Sequence, residues 1–282
     1  MSAPEAGKRP NKTLFTRAGH EWDALGDQAF FYWDSLLSLP RAVRAYKRET
    51  IRLIAEISMG TGALAMIGGT VVVVGFLTLF TGGTIAVQGY SSLSNIGVEA
   101  LTGFFSAFIN VRIAVPVISG IALAATIGAG ATAQLGAMRV SEEIDALEAM
   151  AIASIPFLVG TRIVAGLIAI IPLYALASLA SFLASRFATT LFYGQSSGVY
   201  DHYFSTFLIP SDILWSFVQA IAMAVAVMLI HTYHGYNASG GPVGVGIAVG
   251  NAVRSSLVVV VVITLLLSLA IYGVDGNFNL SG

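Results

Sequence analysis

The chain has 282 residues, of which 56% are hydrophobic and only 10% charged, with a formal net charge of −1. Soluble domains carry about a quarter charged residues, so this composition excludes an ordinary water-soluble fold and points to an integral membrane protein. The near-neutral balance says nothing about nucleic acid, but no basic patch with interleaved aromatics appears outside the N-terminal segment, so no nucleic-acid partner is expected, and the absence of cysteine excludes disulfide and thiol chemistry.

Residues 1–27 begin with a polar stretch containing Pro4 and Pro10 and read as a disordered tail without a cleavable signal. Residues 28–54 combine Phe30, Phe31, Tyr32 and Trp33 with Arg41, Arg44, Lys47 and Arg48, and a break is expected at Pro40. Rings and cations both suit the headgroup layer, so this segment is expected to be an amphipathic interfacial helix.

Residues 55–282 form the membrane domain. Charges are missing from 57–98, 113–138, 163–185, 213–253 and 255–274, and about 20 helical residues cross a bilayer. Five spans are expected, at about 57–80, 111–133, 163–185, 213–230 and 255–272. The stretch HTYHGYNASGGPVGVG, from His231 to Gly246, is too rich in glycine and polar groups to face lipid and is expected to be a loop. Small residues at Ala124, Gly128 and Thr132 form a seam for close helix packing. Pro172 is expected to kink the third span.

Nine of the fourteen basic residues precede the first span, so the positive-inside rule expects a cytoplasmic N-terminus and, after five spans, an extracytoplasmic C-terminus.

Between the second and third spans stands GAMRVSEEIDALEAM, Gly136 to Met150, with four of the fifteen acidic residues. Ser141 reads as an N-cap, with Glu142, Glu143 and Asp145 in the first turn. Ile144, Leu147 and Ala151 share one face and Glu142, Asp145 and Ala149 the other. Such a helix, at about 139–151, is either a solvated connector or a docking helix for a partner with a basic groove; periodicity leaves both open.

Arg112 falls where the second span begins, and a cation near hydrocarbon either snorkels to the headgroups or is paired. His231 and His234 share a helix face without a convincing third ligand, so hydrogen bonding is expected there rather than a metal. GQSSG, Gly194 to Gly198, matches the serine-hydrolase elbow in letters only, lacking the strand, helix and partner residues. The only lysines are Lys8, Lys12 and Lys47 and none follows a glycine-rich phosphate loop, so the chain itself binds no ATP by that device.

GAGATAQLGAMRVSEEIDALEAMAI (128–152), VQGY (87–90), NVRIAVPV (110–117) and YHGYNASGGPVGVGIAVGNAVRSSL (233–257) together resemble the MlaE/YrbE family of ABC-transporter permeases, which move lipids. With GVDGNFNL (273–280), the pattern is most similar to the B-type YrbE subunit of actinobacterial Mce lipid transporters. The resemblance implies an all-α integral membrane fold with an N-terminal interfacial helix and five transmembrane helices, in the cytoplasmic (inner) membrane. It also implies a non-catalytic subunit that binds no cofactor, paired as a heterodimer with a second YrbE-type permease. ATP and Mg²⁺ would sit on a separate ABC ATPase dimer, and extracytoplasmic Mce proteins would exchange a lipid or fatty acid with the permeases. By position it implies an ATPase-coupling set of Arg139, Glu142, Glu143, Asp145, Leu147, Glu148 and Met150, and a lipid path near Val71, Leu77, Gln88, Tyr90, Arg112 and Val259. Ile113 and Gln134 stand where the family often has glutamate, a departure that suits a partner permease retaining more polar chemistry. An autonomous channel or secondary transporter for a hydrophobic solute is the alternative, although the chain shows no repeat of 20–50 residues and no mirrored halves.

Overall fold

A computed structural model describes residues 12–59 and 63–273, with side chains for 26–55 and 72–273. Nine helices follow one another among the described residues: α1 (Lys12–Ala45), α2 (Lys47–Met59), α3 (Ala63–Ser94), α4 (Glu99–Val140), α5 (Glu143–Ala149), α6 (Ile155–Phe192), α7 (Ser197–Phe207), α8 (Pro210–Tyr236) and α9 (Gly241–Tyr272). Five of them, α3, α4, α6, α8 and α9, are long and apolar enough to cross a membrane. With all backbone bonds closed within each helix, such segments are the architecture a bilayer permits.

α4, α6 and α8 share the core, where Val115, Leu123, Ile163, Ile170, Met223 and Val227 interlock. α3 lies along α6 and α9 along α8. The short α5 joins α4 to α6 at one end of the bundle, and α7 joins α6 to α8 at the other. Glycine sets the closest approach: a Cβ on Gly82 of α3 would stand 2.5 Å from the carbonyl oxygen of Ser181 in α6, which is how small residues draw helices together in a membrane.

The helices outrun their expected lengths. α3 continues through Thr81–Ser94, past the expected end of the first span at about 80, because the hydroxyls of Thr81 and Thr84 bond back to Leu77 and Phe80 and Gly82 is held against α6. α4 and α6 reach 42 and 38 residues, and the stretch between the expected third and fourth spans contains a π-helical turn and α7. His231–Gly246, expected to be a loop, is helical except at 237–240. Its polar groups avoid lipid by burial: His231, Thr232 and Gly235 are enclosed by protein, while Gly240 and Gly241 take the positive φ values of 87° and 69° that turn the chain into α9. The small-residue seam of α4 receives this segment, for a Cβ on Gly128 would stand 2.7 Å from the His231 ring.

The N-terminal segment also differs. α1 begins at Lys12 within the stretch expected to be disordered, and it passes through Pro40 to end at Ala45. Proline already has a helical φ and here gives up one backbone bond, while Ser38 and Ala42 on the same side pack where a Cβ on Gly160 would meet them at 3.1 and 2.9 Å. Tertiary packing thus outweighs the local break. In α4 and α6, π-helical turns precede or contain Pro116 and Pro156 (Asn110–Ala114 and Ile155–Gly160), absorbing the missing donors. Pro172 lies inside a continuous α6.

Candidate functional site

Chemistry-bearing side chains gather at the two ends of α8. At the α5 end, Ile144 of α5 is fully buried against Leu135 and Leu158, with Leu147 packed beside it. The expected apolar face is therefore real as far as Leu147; Ala151 falls beyond the helix and is exposed. Ser141 does not cap α5. It terminates α4, its hydroxyl donating to the carbonyl of Ala137 at 3.0 Å, and the residue preceding α5 is Glu142. Glu142 and Ala151 bracket α5 with φ of 60° and 58°, left-handed values that side chains other than glycine's rarely adopt. α5 is thus pinned by its apolar face and by two strained corners.

Its polar groups divide into internal and outward sets. Arg139 binds Asp145 at 2.7 Å. Glu148 accepts from Ser154 at 2.6 Å and from the Tyr236 hydroxyl, at the end of α8, at 3.0 Å, both on Oε1. The hydrogen bond from Ser154 and then that from Tyr236 hold the Glu148 carboxyl below its ordinary range. Glu142, Glu143 and Met150 face outward, Met150 with 63% of its surface exposed. Buried Arg162 stands behind α5, its guanidinium donating to the carbonyl of Leu158 at 3.0 Å and lying 3.5 Å from Gln134. A cavity of about 650 Å³ opens between α1 and the 148–156 segment.

At the other end, Arg112 of α4 is almost fully buried and sits in the π-helical turn. Nε and a terminal nitrogen both lie 2.9 Å from Asp212 Oδ2, in the first turn of α8. The rings of Phe108 and of Tyr272, the last residue of α9, cover the guanidinium at 4.3 and 4.1 Å. Of the two fates expected for Arg112, the structure shows pairing. One cation therefore ties α4, α8 and α9 together, an arrangement that costs little only while every member is present. Sequence reasoning missed Asp212; its signal was a lone carboxylate opening an apolar run. Nearby, Arg186 and Asp201 form an exposed pair at 2.7 Å that lowers the Asp201 pKa.

Between the ends, two polar clasps cross the core. Ser181 donates to Asn110 Oδ1 at 2.7 Å, Asn110 Nδ2 donates to Ser185 at 2.9 Å, and Ser185 donates to the Gly82 carbonyl at 2.8 Å, linking α3, α4 and α6. Thr132 meets His231 Nδ1 at 2.8 Å and donates to the His231 carbonyl at 3.0 Å, linking α4 and α8. His231 is thus a hydrogen-bonding partner, as the sequence suggests. Ser196 sits in the turn opening α7.

The lipid-path residues are dispersed. Leu77 and Gln88 are exposed on α3, Tyr90 stacks on Tyr193 at 4.1 Å, Val259 is half-buried on α9, and the Val71 side chain lies outside the described residues. The 650 Å³ cavity is lined by none of them. GVDGNFNL lies outside the described residues from position 274.

A sequence profile described as Permease MlaE matches residues 59–270. A probable ABC transporter permease protein of Rickettsia bellii is 28% identical over 147 residues, 52% of this chain and 57% of that protein. The chloroplastic protein trigalactosyldiacylglycerol 1 of Arabidopsis thaliana is 28% identical over 153 residues, 54% of this chain and 44% of that protein. A probable ABC transporter permease protein of Porphyra purpurea is 28% identical over 145 residues, covering 51% and 54%. The matched region thus spans about half the length of these relatives.

Proposed function

The chain belongs to the MlaE permease family, and from that premise we propose that it is the non-catalytic permease subunit of an Mce-type, ATP-driven lipid transporter of the cytoplasmic membrane. In this reading it pairs with a second, YrbE-type permease, an ABC ATPase dimer binds ATP and Mg²⁺ on the cytoplasmic side, and Mce proteins exchange lipid on the other. The N-terminus and the α5 end face the cytoplasm, and the α7 end and the C-terminus lie outside.

The observation that carries the reading is α5 itself. A solvated connector needs neither a fully buried Ile144 nor two left-handed corners nor a hydrogen bond donated to Glu148 by Tyr236 at the end of a membrane helix. A surface that must transmit force needs that rigidity. Two large apolar faces support a lipid cargo and a permease partner: Val72, Phe76, Leu77 and Phe80 on α3, and Val258, Val261, Leu265 and Leu269 on α9, are all 41–71% exposed. A path for ions or sugars would need regular polar lining instead.

Within the coupling set, the roles divide. Arg139, Asp145, Leu147 and Glu148 hold α5 in place, and Glu142, Glu143 and Met150 form the contact surface. Reversing the two outward acids, Glu142→Lys with Glu143→Lys, is expected to abolish co-purification with the cognate ATPase and lipid uptake while leaving the fold intact. Unchanged assembly and uptake would remove the docking role. Lipid flux by the reconstituted chain without an ATPase would favour an autonomous transporter.

A further inference from the structure

The cavity between α1 and the segment joining α5 to α6 has a lining that coupling does not explain. Its volume, about 650 Å³, lies within the range of small-molecule sites. α1 contributes Asp34, Leu37, Ser38 and Arg41, one helix face at i, i+3, i+4 and i+7. Glu148 and Ser154 stand opposite. Asp34 and Arg41 have no ion-pair or hydrogen-bond partner among the described residues, and both bonds to Glu148 fall on one oxygen, Oε1. The cavity therefore presents an unmatched cation, an unmatched carboxylate and a free carboxylate oxygen.

Charges of both signs select against ligands of one sign. A purely anionic group on Arg41 would face two carboxylates, and a simple cation would leave Arg41 unmatched. A ligand with a phosphodiester and an ammonium satisfies both walls: the phosphodiester accepts from the Arg41 guanidinium as a bidentate partner, and the ammonium donates to Asp34 and Glu148. No aromatic ring lines the cavity. Quaternary ammonium groups are held by aromatic cages, whereas a primary ammonium is held by carboxylate acceptors. On the same helix Phe30, Trp33 and Leu37 are 74%, 65% and 61% exposed, an apolar surface that runs into the cavity at Leu37 and offers acyl chains a place beside it.

We propose that this cavity is a binding site for the headgroup of an ethanolamine-type phospholipid, held as a resident lipid that joins α1 to the α5–α6 segment, and separate from any transported cargo. The proposal rests on reading α1 as an interfacial helix. It requires no particular partner for α5.

The test is native mass spectrometry of the full chain released from nanodiscs containing phosphatidylethanolamine, phosphatidylcholine or phosphatidylglycerol of matched chains. Wild type is expected to retain one phosphatidylethanolamine and neither of the others. Arg41→Gln and Asp34→Asn are expected to lose it at least tenfold more readily, and Arg41→Lys to keep it in part. Equal retention of the three lipids, or undiminished retention by both variants, overturns the site. So does lost co-purification of the ATPase with unchanged lipid retention, which would make the cavity a protein socket. Arg41 is exposed and Asp34 half-buried, and unchanged thermal melting of the variants will show that they fold. Quenching of a variant whose only tryptophan is Trp33 by brominated acyl chains tests the interfacial placement separately: quenching without selective retention overturns the headgroup site, and absence of quenching overturns its premise.

Discussion

The two ends of α8 are anchored by the same kind of chemistry in opposite surroundings. Asp212 holds Arg112 where both side chains are at most 16% exposed, walled by Phe108 and Tyr272. Tyr236 donates to Glu148 at the exposed surface, beside the equally exposed Arg139–Asp145 pair. A buried ion pair has no water to fall back on and acts as a fixed clamp. An exposed one exchanges partners with solvent at little cost, so the polar contacts of α5 to α8 can be remade while the buried Ile144 keeps α5 itself in place. The contrast gives the bundle a firm end and a responsive end.

Removing the carboxylate from the firm end tests the contrast most severely. Asp212→Asn leaves Arg112 charged among aromatic rings, and unfolding in detergent is expected to shift by about 3–5 kcal/mol. The double change Arg112→Met with Asp212→Leu should recover most of that loss. A single variant that melts like wild type would show that the clamp is not closed.

Acid probes the responsive end. The Glu148 carboxyl is held below its ordinary value by Ser154 and Tyr236, so its contribution is present above the unfolded-state value and is lost as pH falls through the lowered one. Amide protection over 143–152, corrected for the intrinsic pH dependence of exchange, should fall on acidification in wild type. Glu148→Gln should exchange faster at neutral pH and show a flat profile. A wild-type profile without pH dependence would separate α5 from α8.

The exposed Arg186–Asp201 pair offers a control with bond lengths like those of the clamp but without its burial. Asp201→Asn is expected to leave thermal melting unchanged within error, and a loss approaching that of Asp212→Asn would break the comparison. A comparably small effect is expected at the corner after α5. Ala151→Gly relieves a left-handed alanine but frees the unfolded chain, so the net change should stay within about 1 kcal/mol.

Much of this was legible in the chain. Charge gaps located five apolar helices, because lipid forbids unpaired charge over the length of a span. They did not locate the helix ends, because Thr81, Thr84 and His231 are polar by composition and satisfied by neighbours that no local pattern reveals. The acidic segment was visible as an amphipathic helix, with Ile144 and Leu147 on its apolar face. Its anchoring was not visible, since Glu148 finds Tyr236 88 positions away. Arg112 was conspicuous as a lone cation. Its partner lies 100 positions on and looked like the polar start of a span. Ser141 was misassigned because a serine before three acidic positions reads as a start signal, while the same hydroxyl serves a helix end equally well.

One consequence follows from α8 itself, a single helix of 27 residues, roughly 40 Å long. Proline occurs only at its first position, so it has no hinge of that kind along its length. A tilt of about 5° pivoting on Tyr236 would carry Asp212, and with it Arg112 and the tip of α9, through about 3 Å. A small rotation delivered at one membrane surface thus arrives at the opposite surface as a displacement as long as a hydrogen bond, with the helix serving as a pushrod.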